Sequence, residues 1–143
     1  MKAFWNVWRA VFIEAIAEEI AFRDNARIIP TGIQALNLLG LSTQVPLNAV
    51  FLTDGSPRTI KIGKRKIKFK KTSPKNLAAK GRLSGLAIQA LKEIGKEKVK
   101  KEEINKIKEQ LKKEDPGNIY QDMKLAPSWI ADIFGDLLQY YYE

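Results

Sequence analysis

The sequence predicts an α+β fold: a small antiparallel sheet of three to four strands with a central hairpin, packed by helices from both ends of the chain. The 143 residues are enough for one domain, and 45% of them are hydrophobic, which is enough for a core. Residues 58–71 alternate apolar and polar side chains around a glycine, as a β-hairpin does. Apolar residues recur at three- and four-residue steps on both sides of this segment, as in amphipathic helices. We therefore expect residues 1–143 to form a single domain.

A long first helix is predicted over residues 3–22, because Trp8, Phe12 and Ile16 recur at helical steps. Charged residues interrupt it, so it is not expected to span a membrane, which needs about 20 nearly uncharged residues. Its aromatic beginning either packs on the chain's own core or forms an interface with another copy or another protein. The candidate protein interface consists of Trp5, Trp8 and Phe12.

The next elements lead into the sheet. Residues 26–29 are expected to be extended. Thr31 is the expected N-cap of a second helix, with Gln34 completing a capping box, and Gly40 is its expected end. Residues 49–53 are apolar on both sides and therefore predict a central strand. Together with the hairpin, this strand gives an antiparallel meander.

Helices are predicted for the rest of the chain. Pro74 is the expected start of the first, and Gly81 and Gly85 indicate either a break near residue 81 or a close approach to the sheet. Residues 96–115 predict a highly charged helix on the surface, and a last apolar helix follows. We expect the aromatic face of the first helix to pack against this last helix around Trp129 and Phe134, or in a dimer.

The hairpin has two chemically different sides. With a Gly63-Lys64 loop, Ile60 lies opposite Ile67 on an apolar side, and lysines are opposed on the other side, which is unfavourable. This strip is either a solvated edge that blocks sheet-to-sheet association, or a surface that binds a polyanion or an acidic protein. The candidate residues for binding nucleic acid or an acidic partner are Lys61, Lys64, Arg65, Lys66, Lys68, Lys70, Lys71 and Lys75.

Composition restricts the chemistry. The chain has no cysteine and no histidine, so thiolate chemistry and the commonest general base and metal ligand are absent. We therefore predict a protein that is not an enzyme, with no catalytic residue, no metal site and no cofactor, located in the cytoplasm. The net charge of +9 favours nucleic acid, an anionic membrane surface or an acidic protein as partner, and does not choose among them.

Several segments follow one another in a recognisable order: ARIIPTG at 26–32, ALNLLGLSTQVP at 35–46, FLTDG at 51–55, RTIKIG at 58–63 and PKN at 74–76. This order resembles the AbiEi-type antitoxin and transcriptional-regulator family of bacteria. The resemblance implies that residues 14–143 are an antitoxin-like domain, with residues 1–13 as an aromatic helical lead outside it. Members usually carry a winged helix-turn-helix at that place.

The resemblance also implies a function. Members of the family belong to type IV toxin–antitoxin systems, so we expect a protein that neutralises a nucleotidyltransferase-type toxin and contributes to autoregulation. The alternative is a DNA- or RNA-binding transcriptional regulator whose hairpin lysines contact phosphates. The expected partners are therefore a cognate toxin, nucleic acid or a second copy of the chain, and not a membrane.

Overall fold

A computed structural model describes the backbone of residues 2–42 and 48–142, and the side chains of residues 11–42 and 48–141. It confirms the α+β class. The strands are β1 (Ile28–Pro30), β2 (Asn48–Thr53), β3 (Arg58–Ile62) and β4 (Arg65–Lys71). The helices are α1 (Lys2–Arg23), α2 (Gly32–Leu38), α3 (Arg82–Ile94), α4 (Lys101–Leu111), α5 (Pro116–Met123) and α6 (Ser128–Tyr142), and a short 3₁₀ helix spans Pro74–Leu77. None of the helices within these described ranges is both long and apolar enough to traverse a lipid bilayer.

The four strands form one mixed sheet in the order β1-β2-β4-β3. The predicted hairpin is confirmed in its register, with Ile60 opposite Ile67 and Lys61 opposite Lys66. The predicted all-antiparallel meander is wrong, because β2 pairs with β4, and the two strands are parallel. The reason is burial: β4 contributes the buried Ile67 and Phe69, whereas the apolar residues of β3 are only half-buried. The more apolar strand occupies the interior position and leaves β3 at the edge.

One face of the sheet packs against α1. Phe51 and Phe69 stack with their ring centroids 6.2 Å apart, and Ile13 and Ala17 of α1 cover them in one hydrophobic cluster. Phe12 is 60% exposed, so it does not pack against α6 within the chain. The side chains of Trp5 and Trp8 lie outside the described residues. The dimer alternative for this aromatic segment stays a prediction.

A second hydrophobic core lies among the helices. Its largest cluster joins α3 to α4, α5 and α6, and includes Phe134 with Trp129 packed against it. A smaller cluster packs α2 on α3. The sheet and the helices meet where α3 approaches β1: a Cβ atom added at Gly85 would lie 3.4 Å from Cδ1 of Ile29. Two of the predicted features at the start of α3 are thus confirmed, a break at Gly81 and a glycine close to the sheet.

The helix boundaries test the predicted caps. Thr31 is the N-cap residue of α2 as predicted, but its hydroxyl donates to the carbonyl of Val50 at 2.8 Å and accepts from no N–H group of α2, so the predicted capping box is wrong. The cause is that Thr31 still belongs to the sheet, where its N–H also bonds the Val50 carbonyl. Gly40 ends α2 as predicted, with φ of 74° and a bond of 2.8 Å from Leu41 N–H to Leu36. The charged helix α4 is shorter than predicted and begins at Lys101.

An exposed ion pair joins the start of β1 to the end of β2. The Asp54 carboxylate accepts from the backbone N–H of Arg27 at 2.8 Å and from Nε of Arg27 at 3.0 Å. These bonds, the backbone one first, lower the pKa of Asp54. A lowered folded-state pKa contributes stability that is present above the unfolded value of about 3.9 and lost as pH falls through the folded value.

We therefore expect an Asp54→Asn variant to be less stable than the wild type at pH 6, and the difference to shrink as pH falls below about 4. Thermal unfolding between pH 6 and pH 2, followed by circular dichroism, measures this. A difference in melting temperature that is constant over the whole range contradicts the prediction.

Candidate anion-binding face

The sheet face opposite α1 carries a set of exposed lysines. The alternation of side chains along a strand places Lys66, Lys68 and Lys70 of β4 on this side, because Ile67 and Phe69 point into the α1 core. Lys61 of β3 lies directly beside Lys66. We call Lys61, Lys66, Lys68 and Lys70 the lysine face. All four side chains are exposed.

The spacing within the lysine face is set by strand geometry. Residues two apart on β4 are separated by about 6.6 Å, so its three lysines form a regular row. In a hairpin with a two-residue loop, the pair flanking the loop is hydrogen-bonded, so Lys61 and Lys66 form the following non-hydrogen-bonded pair, with Cα atoms about 4.5 Å apart. Gly63 allows this tight loop because its φ is +61°, a conformation that glycine adopts without strain. Two like charges are therefore held side by side.

No carboxylate neutralises these charges. Among the residues that the structure describes, none of the four lysines has an acidic partner within ion-pairing distance, and the carboxylates at the ends of the sheet are bound to arginines. Asp54 pairs with Arg27 at 3.0 Å. Asp24 pairs with Arg58 at 2.8 Å. The lysine face thus keeps its full positive charge in an exposed position.

Of the other predicted binding residues, some lie next to the lysine face and others lie on the opposite side of the sheet. Lys64 lies in the hairpin loop, beside the lysine face. Arg65 and Lys71 fall on the opposite side of β4 by strand alternation, and Arg65 is half-buried across from Ile62. Lys75 is exposed on the 3₁₀ helix that follows β4.

Neighbouring residues extend the lysine face in two ways. β2 places the half-buried Val50 and Leu52 directly beside Lys68 and Lys70, which adds an apolar margin. Beside Ile29, a shallow hollow is lined by Lys75 of the 3₁₀ helix and by Lys92 of α3. Lys92 was missed by the sequence reasoning, because no local pattern tells which side of the sheet α3 covers.

The segment before α3 is anchored by two acids that come from far along the chain. The fully buried Asp122 of α5 accepts from the backbone N–H of Lys80 at 2.7 Å and of Gly81 at 2.8 Å, and from the hydroxyl of Ser84. Glu114 accepts from the N–H of Leu83 at 3.0 Å. These carboxylates occupy the positive end of the α3 dipole. The Ser84 hydroxyl is buried and donates to a carboxylate, so it is part of this anchor.

A cleft of about 320 Å³ lies between α1, β1 and the start of α3. Glu14 is 7% exposed and binds Arg82, so the charge of Arg82 is paired with an acid, although its side chain is 58% exposed. Burial, and then the nearby charge of Glu14, raise the pKa of Glu18, and Arg82 acts in the opposite direction. In the described part of the chain, no three potential ligands are grouped closely enough to hold a metal ion.

Comparison with known proteins gives one match. The sequence model of the family described as "Family of unknown function (DUF6088)" matches residues 10–119 of the 143-residue chain. Searches of the curated proteins and of the solved structures each found no match. The matched segment begins within α1 and ends in α5, so it includes the whole sheet and the lysine face, and it ends before Asp122. The chain therefore belongs to DUF6088, a family of unknown function.

Proposed function

We propose that the protein is a non-enzymatic binding protein of the antitoxin type, which neutralises a nucleotidyltransferase-type toxin by docking its lysine face on an acidic surface of that toxin. The observation that carries this proposal is the set of four exposed, unpaired lysines held on one face of a sheet. Their mutual repulsion becomes attraction when an anionic surface approaches. The resemblance of the sequence to AbiEi-type antitoxins supports the class of partner.

The form of the face also supports docking on a protein. β4 is an interior strand, hydrogen-bonded on both sides, so its lysines project from a rigid platform. Val50 and Leu52 lie beside them and are half-buried. Protein interfaces combine such an apolar area with a polar rim, and charged groups at the rim act mainly on the rate of association. The lysine face would therefore steer the partner, and the apolar margin would hold it.

Nucleic acid is a second candidate, favoured by the regular row of Lys66, Lys68 and Lys70. Cations at steps of about 6.6 Å along a strand can follow a phosphate backbone, and Lys75 and Lys92 enlarge the same positive surface. The other residues of this face in the described structure are Ile29, Asn48, Val50, Leu52 and Thr59, none of which is aromatic. Such a surface would bind phosphates without stacking bases, and so without reading sequence.

The proposal is tested by replacing Lys61, Lys66 and Lys68 together with serine. The matched control replaces the exposed Lys101, Lys106 and Lys113 with serine, which removes the same charge from the helical part of the chain. We expect the first triple variant to associate with the toxin about 10-fold more slowly at low salt, since rim charges act mainly on the association rate. The control should associate at nearly the wild-type rate.

The same variants distinguish the two partners. If duplex DNA is the partner, removing three phosphate contacts should flatten the slope of log affinity against log salt by about three units. Binding to toxin with no measurable DNA binding supports the antitoxin proposal, and the reverse supports the regulator. If the first triple variant retains wild-type toxin rescue and wild-type DNA binding, the lysine face is a solvated surface and both proposals fail.

A further inference from the structure

Helix α1 is apolar on two opposite sides. One side is buried against the sheet and contains Ile13 and Ala17, which are 6% and 0% exposed. Each residue of an α-helix turns by about 100°, so Val11, Ala15 and Phe22 lie on the side that faces away from the sheet. Val11 is 38% and Phe22 is 82% exposed, and Ala15 is exposed as well. The domain therefore does not use the second apolar side for its own core.

The exposed side has the spacing of a coiled-coil seam. Val11, Ala15, Glu18 and Phe22 follow one another at steps of four, three and four residues, so Val11 and Glu18 are seven residues apart, and so are Ala15 and Phe22. A seven-residue repeat of this kind is that of the two seam positions of a coiled coil. The sequence continues the same spacing towards the N-terminus at Phe4 and Trp8. We call these six positions the outer stripe. Glu18 is its only charged member, and a single polar residue in such a seam specifies the register of pairing.

The distribution of charge along α1 indicates what covers the stripe. Residues 2–13 contain Lys2 and Arg9 and no acid, which gives +2. Residues 14–24 contain Glu14, Glu18, Glu19 and Asp24 against Arg23, which gives −3. Glu14 and Asp24 are bound to Arg82 and Arg58, which leaves −1 for this half of the helix, with Glu18 exposed. A second copy of the same helix, running in the opposite direction, brings the basic half of each α1 to the acidic half of the other. It also aligns the two helix dipoles favourably.

We propose that the outer stripe of α1 pairs with the outer stripe of a second copy of this chain in an antiparallel arrangement centred near residue 13. In this register Val11 faces the partner's Ala15, and Phe12 flanks the two-fold axis. The stripe and the lysine face lie on opposite sides of the sheet, so pairing leaves the lysine face open. The dimer then presents two lysine faces. The proposed pairing of α1 does not depend on the proposed function.

Because the chain has no cysteine, single introduced cysteines report the geometry directly. In an equal mixture of full-length Val11→Cys and Ala15→Cys chains, we expect oxidation to link mainly one chain of each kind. Phe22→Cys chains alone should not link to themselves, because the two positions would be about 27 Å apart along the helices. Efficient self-linking of Phe22→Cys contradicts the antiparallel arrangement.

Self-association itself is measured by sedimentation equilibrium of the full chain. We expect the wild type to be in a monomer–dimer equilibrium and Phe22→Glu to weaken it at least about 10-fold, since a charge placed in the apolar seam must be desolvated. The matched control is Tyr120→Glu on α5, which changes another aromatic residue that is 49% exposed. Thermal melts of both variants check that the fold is intact. A wild-type chain that stays monomeric up to its solubility limit, or equal dimerisation by Phe22→Glu, overturns the proposal.

Discussion

Replacing Asp122 by alanine is expected to lower the free energy of unfolding by about 4 kcal/mol. The Asp122 carboxylate is fully buried and accepts hydrogen bonds from two backbone N–H groups and one hydroxyl just before and within α3. Alanine leaves the two backbone N–H groups without an acceptor, and it leaves the Ser84 hydroxyl only the carbonyl of Gly81, at 3.3 Å. Each buried group that loses its partner costs about 1–3 kcal/mol, so this one change is expected to exceed the usual effect of a point substitution.

Urea unfolding followed by circular dichroism measures the change. Ser84→Ala removes one of the three donors and should cost only about 1 kcal/mol, because the two backbone bonds remain. Asp132→Ala removes an exposed carboxylate from α6 and should change stability by less than about 0.5 kcal/mol. An Asp122→Ala variant that is within 1 kcal/mol of the wild type would show that the segment before α3 finds other acceptors, and that Asp122 is not its anchor.

Replacing Phe69 by alanine is expected to cost about 3 kcal/mol. Phe69 is 4% exposed, stacks on Phe51 and lies under α1 in the sheet core. Truncation removes the ring from an apolar environment and leaves a cavity that strands held on both sides cannot readily close. The exposed aromatic Tyr120 is the matched control, and Tyr120→Ala should change stability by less than about 0.5 kcal/mol.

The same denaturant measurement tests this second prediction. A midpoint that falls with an unchanged slope indicates a loss of stability, whereas a changed slope indicates that the denatured or the native state has altered. If Phe69→Ala is as stable as Tyr120→Ala, then the ring does not contribute to a packed core, and the side of β4 assigned to α1 is incorrect.

The features that were predicted correctly are those that depend on residues close together in the sequence. The register of the hairpin depends on Gly63 and on the alternation of side chains within fourteen residues, and it is confirmed. The break before α3 depends on Gly81, and it is confirmed as well. The position of β4 next to β2 could not be predicted in this way, because it depends on which strand buries more apolar area when the whole sheet is assembled.

In the candidate site as well, contacts between residues near in sequence could be predicted, and contacts between distant residues could not. The four residues of the lysine face could be grouped from alternation alone, because they lie on two strands joined by a tight loop. The pairing of Arg82 with Glu14 joins residues 68 apart, and the bond from Lys80 to Asp122 joins residues 42 apart. Neither contact produces a local sequence pattern from which it could be predicted. The sequence alone therefore could not show that Arg82 is bound to a buried acid.

The placement of β4 between β2 and β3 also determines the order in which the sheet can be completed during synthesis. When β2 leaves the ribosome, its parallel neighbour β4 has not yet been synthesised. Asn48 pairs with Lys66, and every other residue of β2 is separated from its partner in β4 by the same number of residues. The two strands of the hairpin, by contrast, are joined by a loop of two residues and can pair within about 1–10 μs once both have emerged. At about 5–20 residues per second, translation is far slower than this pairing. We therefore expect the β3–β4 hairpin to form first in the nascent chain, and to pair with β2 afterwards through β4.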